Sequence, residues 1–231
     1  MKRGLNTIAA VFMSASLLVG CEATKNANNK QKGAVIGATS GAVLGGVIGN
    51  NTKGGNTALG AIIGGVVGGA AGGYIGSRMD KQAKQIEQEI PGAEVERVGE
   101  GINVTFDESS GVYFDSEKYS VNAKSQETLK KLIGIFKEYP DTNVLVEGHT
   151  DDTGSESYNL TLSKNRAQAV TSYLVNNGLS SGRFDTKWYG ESQPKYDNTT
   201  EDGRAKNRRV ELAIVANEKM KQEAEQATSE E

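Results

Sequence analysis

Glycine recurs at every fourth position along two stretches of this chain: Gly33, Gly37, Gly41, Gly45 and Gly49, then Gly60, Gly64, Gly68, Gly72 and Gly76. In a helix, residues four apart share a face. A glycine on that face lets a second backbone approach closely. In water each such glycine disfavours helix by roughly 1 kcal/mol relative to alanine, so a freely solvated helix is disfavoured here. A polar turn, Asn50 to Thr57, separates the two arms, and neither arm carries a charged residue. The arms, 33–49 and 58–76, have 17 and 19 residues, the lower edge of what spans a bilayer as helix. The spacing predicts a membrane-associated helical hairpin over residues 33–76. Val35, Ile36, Val43, Leu44, Val47, Ile48, Leu59, Ile62, Ile63, Val66 and Val67 would face lipid, and the glycine faces offer a route to self-association. A structureless low-complexity spacer is the plainer alternative. Unbroken spacing argues against it.

Ahead of the arms, Lys2 and Arg3 precede an apolar run from Ile8 to Val19, and Cys21 is the only cysteine. A positive start, a short apolar core and a small residue before the cut are signal-peptide features. The run is too short to span a membrane comfortably. Its ending, Leu17-Leu18-Val19-Gly20-Cys21, resembles the lipobox of bacterial lipoproteins. That resemblance implies a signal peptide over 1–20, diacylation of the Cys21 sulfur and a mature chain anchored by lipid in the cell envelope. A stray cysteine after an ordinary signal peptide is the alternative, but it would leave an idle thiol in an exported chain. Residues 21–32 are polar and read as a lipidated, flexible tether. Glu22 rather than Asp follows the anchor, which by analogy with enterobacterial sorting points to the outer membrane.

The net charge is −3, and losing Lys2 and Arg3 with the leader makes the chain more acidic. Nucleic acid is therefore not an expected partner, since a binder would show a basic stripe. With no cysteine pair, stability has to come from packing.

Beyond the arms, Met79, Ala83, Ile86 and Ile90 form a one-sided helical stripe, and Pro91-Gly92 ends it. Residues 77–91 thus read as an amphipathic linker helix. Residues 92–216 carry the patterns of a folded domain. Ala93–Val98 and Ile102–Phe106 flank a glycine turn and predict a hairpin. Val112–Phe114 reads as a short strand. A helix is expected from about Asn122 to Tyr139, a buried strand over Asn143–Gly148, a helix from about Tyr158 to Asn177, and strands over Phe184–Gly190 and Arg209–Ala216. This order implies an α/β two-layer sandwich, with helices on one face of a mixed sheet. Residues 217–231 are mostly charged and read as a flexible tail or frayed helix.

The loop Gly148-His149-Thr150-Asp151-Asp152-Thr153-Gly154 leaves the C-terminal end of a buried strand, where α/β sheets tend to place ligands. On the next helix, Asn159 and Arg166 fall together on one flank of the core stripe of Ala167, Val170 and Leu174. A cation at the edge of a core needs a partner, and Asp151 is the nearest expected one. Two readings stay open. The pair is a structural ion pair, or it receives a zwitterion, with Asp151 taking an ammonium and Arg166 a carboxylate by a two-pronged hydrogen bond. His149 stands alone as histidine, so neither a triad nor a histidine metal cluster is expected. Asp151 and Asp152 lack further ligands at a recognisable spacing. Trp188 reads as packing rather than a sugar platform.

The blocks Gly148–Gly154, Tyr158-Asn159-Leu160, Leu162-Ser163-Lys164-Asn165-Arg166-Ala167-Gln168-Ala169-Val170 and Gly203–Glu211 (Gly-Arg-Ala-Lys-Asn-Arg-Arg-Val-Glu) occur in order. Together they resemble the OmpA-like peptidoglycan-binding domain over about residues 110–216. With the lipobox and glycine arms, the whole chain resembles OmpA-family lipoproteins of Gram-negative outer membranes. The resemblance implies the OmpA C-terminal-domain fold and non-covalent binding of diaminopimelate in the peptidoglycan stem peptide. It assigns the ligand's amine and carboxylate to Asp151 and Arg166, with Asn159 and Arg208 in support. Phe114-Asp115-Ser116 resembles the family's strand-end motif, with Glu117 where some members carry Asn. The expected partners are peptidoglycan and outer-membrane lipid through acylated Cys21, with the domain facing the periplasm. No cofactor, metal or catalytic residue is expected, and the chain reads as a tether rather than an enzyme. The competing function is a membrane-active or assembly protein, driven by its glycine arms and only positioned by wall binding.

Overall fold

The computed structural model describes residues 67, 69–107, 110–112, 114 and 118–229. The expected signal peptide, Cys21, the tether, the first glycine arm and most of the second lie outside the described residues, as do Tyr113 and Asp115 to Glu117.

Five strands form one mixed sheet: β1 (Glu94–Val98), β2 (Gly101–Phe106), β3 (Thr142–His149), β4 (Phe184–Gly190) and β5 (Val210–Ala216). Their spatial order is β1-β2-β5-β3-β4. β3 and β4 run parallel, and the other neighbours are antiparallel. The helices are α1 (Gly69–Glu89), α2 (Ala123–Glu138), α3 (Glu156–Asn176), α4 (Glu201–Asn207) and α5 (Glu218–Ser229). This is the expected α/β sandwich, with helices packed against a mixed sheet. Among the described residues, no helix is long and apolar enough to cross a membrane.

Side chains alternate across each strand, and that alternation makes two different faces. Val104, Val144, Val146, Leu212 and Ile214 point to the helices and join Leu129, Leu132, Phe136, Val170 and Leu174 in one buried cluster. Among the described residues, the reverse face buries only Leu145 and Ala213 as hydrophobic residues, beside the partly covered Val98 and Val215. The rest of it is polar. Local chemistry sets the helix ends. The Asn122 side chain caps α2 by accepting from Ser125 N at 2.8 Å, and Arg183 donates to the Phe136 and Tyr139 carbonyls at 2.7 and 2.8 Å beyond its last turns.

Three boundaries differ from the sequence reading. The helix expected as a linker over 77–91 starts at Gly69, inside the second glycine arm, and runs unbroken to Glu89. It is no linker: Ile75, Met79 and Ile86 are fully buried in the main core, with Ala71 and Ala83 nearly so. Gly72, Gly73 and Gly76 are also buried, so the last glycines of the arm face protein. The tail is no frayed end either. Asn217 caps α5 by accepting from Met220 N at 3.0 Å, Met220 and Ala224 enter the core, and Arg78 of α1 pairs with Glu223 at 2.9 Å. Val112 and Phe114 lie outside any strand, although Val112 is buried.

Candidate functional site

Gly148 explains how the site is assembled. A Cβ there would run into the Ser163 carbonyl of α3 and crowd the Ala167 methyl. Only glycine lets α3 press its middle against the end of β3. The loop between them is then tied down on all sides. Thr150 N donates to the Gly190 carbonyl at 2.9 Å. Asp151 Oδ1 accepts from Thr153 N at 3.1 Å, closing an Asx turn. Gly154 follows with φ of 108°, and Ser155 caps α3.

The resulting cavity, about 470 Å³, is lined by Asp151, Asn159, Arg166, Glu201, Arg204 and Arg208, with Tyr158 and Phe114 among its apolar walls. All four residues expected to bind thus reach one space. Asp151 and Arg166 are almost covered, at 7% and 5% exposure. Arg166 donates from Nε to the Lys118 carbonyl at 3.2 Å and lies over the Phe114 ring at 5.2 Å. The first contact fixes the guanidinium plane and the second shields one of its faces.

Two roles differ in detail from expectation. The guanidinium paired with Asp151 is that of Arg208, Nη1 to Oδ2 at 2.7 Å, not that of Arg166. Asn159, 1% exposed, spends its amide N–H groups internally, on the Thr153 carbonyl at 3.1 Å and on Glu191. It braces the loop that carries Asp151.

Glu201 and Arg204 are not among the expected site residues, although Arg204 lies inside the Gly203–Glu211 block. They stand on α4, a short helix capped by Thr200, whose side chain accepts from Gly203 N. Thr200 followed by Glu201 and Asp202 is an N-terminal helix signature, and it was the available signal. Glu201 accepts from Arg204 Nη2 at 2.6 Å and from Arg208 Nη2 at 3.3 Å. These bonds, Arg204 first, hold the Glu201 carboxyl below the usual carboxylate range.

A second polar cluster sits on the reverse face of the sheet. Glu147 of β3 faces Glu211 of β5 directly, and with His149 their ligand atoms lie within 4.8 Å of one another. The reach would suit a cation. However, Arg209 Nε already donates to Glu211 Oε1 at 2.6 Å with both side chains buried, and Tyr189 stacks on His149 at 5.5 Å while donating to Glu147. This arrangement is an internal ion-pair network. Trp188, half-buried under the Lys164 ammonium at 4.9 Å, packs at the sheet edge.

Comparison with known proteins matches residues 113–208 to the OmpA family model and residues 1–80 to a YMGG-like Gly-zipper model. Outer membrane porin F of Pseudomonas aeruginosa is 45% identical over 123 residues, which are 53% of this chain and 34% of the porin. Probable lipoprotein YiaD of Escherichia coli is 34% identical over 139 residues, 60% of this chain and 64% of that one. The chain therefore spans less than two thirds of either relative. Among solved structures, the cell wall anchor of the T6SS from Pseudomonas aeruginosa superposes with a TM-score of 0.52 at 29% identity, covering 61% of this chain and 98% of the anchor.

Proposed function

From the match of residues 113–208 to the OmpA family model, we propose that the cavity grips peptidoglycan without chemistry, through the diaminopimelate of the stem peptide. One observation carries the reading: Asp151 and Arg166, opposite in charge and both largely buried, line the same cavity at the end of β3. The free end of diaminopimelate carries an ammonium and a carboxylate on one carbon. Asp151 offers the first a charge-assisted acceptor and Arg166 offers the second a planar fork. Phe114 and Tyr158 lie against the ligand's aliphatic stem.

Acylation of Cys21 would hold the other end of the chain in the outer membrane, so that the protein tethers membrane to wall from the periplasmic side. The names of the two relatives, an outer membrane porin and a probable lipoprotein, support that placement. The chain is read as a binder rather than an enzyme, and wall digestion in a zymogram would overturn that part.

Sedimentation of the full chain with purified sacculi is the direct test. Asp151→Ala and Arg166→Ala should each abolish co-sedimentation, since removing one member of a desolvated charged contact costs about 2–5 kcal/mol, or roughly thirty-fold and more in affinity. Undiminished sedimentation of both variants rejects the site.

The match of residues 1–80 to a Gly-zipper model favours a second reading, in which glycine-arm assembly in the membrane is the main activity. Deleting 33–66, with the lipid retained, should then destroy membrane activity and spare wall binding. The deletion has to stop before Gly69, where α1 begins.

A further inference from the structure

Gly190 closes β4 and fixes where the next residue starts. Its φ is 55°, and a Cβ there would come within 2.9 Å of Leu160 N in α3, so glycine lets the strand end meet the helix. Its N–H donates to Ser163 Oγ at 2.9 Å, and its carbonyl accepts from Thr150 N at 2.9 Å. The end of β4 is thus tied both to α3 and to the loop after β3. Glu191 follows directly and is half-buried. Among the described residues its carboxylate takes one hydrogen bond, from Asn159 Nδ2, and pairs with no cation. Asn159 Nδ2 also donates to the Thr153 carbonyl at 3.1 Å, and Thr153 N donates to Asp151 Oδ1 at 3.1 Å. Three hydrogen bonds in series therefore link Glu191 to Asp151.

The two acceptors decide how the Asn159 amide lies. A side-chain amide has two N–H donors and one carbonyl acceptor. Turned over, its oxygen would face the Glu191 carboxylate and the Thr153 carbonyl, acceptor against acceptor. A hydrogen bond to an ionised acceptor is roughly twice as strong as a neutral one, so Glu191 supplies the larger part of the lock. With both donors committed, the amide has only Oδ1 to offer the cavity that Asn159 lines.

We propose that Glu191, which does not itself line the cavity, is a positioning residue for this site: it holds the Asn159 amide in one orientation and, through Thr153, sets where the Asp151 carboxylate stands. The proposal rests on the wall-binding reading and adds to it a residue from a third element. The loop that carries Asp151 is gripped at Thr150 by the Gly190 carbonyl and at Thr153 by Asn159. Both grips trace back to the pair of residues that ends β4. Without the Glu191 carboxylate the second grip loses its backing. The amide is then free to turn over, and a turned amide gives the Thr153 carbonyl no donor.

Calorimetric titration of a diaminopimelate-containing stem peptide into the full chain in detergent tests the proposal. Glu191→Ala is expected to weaken binding at least about fivefold, and Glu191→Gln, which keeps an acceptor and loses the charge, to stay within about twofold of the wild type. Unchanged affinity in the alanine variant overturns the proposal. So does a glutamine variant as weak as the alanine one, because Glu191 would then act by its charge alone. A double-mutant cycle separates positioning from general support of the strand end. In an Asn159→Ala background, Glu191→Ala should cost less than about twofold, and an equal loss in both backgrounds overturns the proposal. If Asn159→Ala does not fold or bind, the glutamine comparison decides alone. Failure of the wild type to bind the peptide defeats the wall-binding reading, and the role of Glu191 is then read without ligand. In the full chain, isotopically labelled at asparagine for magnetic resonance, the Asn159 side-chain amide protons should exchange slowly in the wild type and in Glu191→Gln, and at least about tenfold faster in Glu191→Ala. Equal exchange in all three overturns the proposal.

Discussion

His149 leaves the same strand end as Asp151 yet turns into the opposite face of the sheet. It meets Tyr189 and the Glu147–Glu211–Arg209 network there, at 1% exposure. Burial, and then the nearby charges of Arg209 and Lys195, push its pKa well below the ordinary 6.5. The folded form therefore binds a proton less readily than the unfolded chain. Stability contributed by the neutral imidazole is complete above the unfolded value and falls as pH drops below it, by at most about 1.4 kcal/mol per pH unit. His149→Phe keeps a ring to stack on Tyr189 and removes the titration. Denaturant melts between about pH 7.5 and about pH 5 should show the variant losing less stability than the wild type on acidification; parallel curves would refute this. That Asp151, Asn159 and Arg166 gather at one end of the sheet was legible, because the first lies in the loop after β3 and the other two on one flank of the helix that follows. The pairing of Asp151 was not legible. It depends on Arg208, 57 positions away, brought in by a short helix whose cap signal is weak beside the charges around it.

Helix α1 shows how an apolar stripe was read too short. Met79, Ala83, Ile86 and Ile90 define a face, and the same period extended backwards reaches Ile75 and Ala71, all buried. The glycines between those residues read as the close-approach face of a membrane-associated hairpin; in the fold Gly72, Gly73 and Gly76 are buried against the domain's own core. Strand order had no comparable signal, since β5 inserts between β2 and β3 through contacts distant in sequence. The alternation that makes each strand two-faced was visible throughout. If α1 belongs to the cooperative unit, Ile75→Ala or Met79→Ala should each cost about 2–5 kcal/mol of global stability, measured by chemical denaturation. A linker helix would lose almost nothing, and the amides of α1 would exchange as freely as a frayed end.

The molecule as a whole brings its first and last described helices together. α1 and α5 pack side by side, joined by Arg78–Glu223, while the ligand cavity opens where β3, α3 and α4 meet. The glycine arm therefore does not end in a loose hinge, because its final residues are already part of the folded unit. Tension between membrane and wall would enter through the N-terminus of α1 and leave through the pocket. A pull along that helix has to slide the whole apolar ridge from Ala71 to Ile90 across the core at once, rather than peel a strand open one bond at a time. Forced unfolding reports the rate of crossing that barrier. Pulling from residue 69 against a tether at the cavity rim should therefore need more force than pulling the sheet apart from an edge strand. If the cavity holds the wall and Cys21 the membrane, the connection should let go at the ligand before the domain gives way under load.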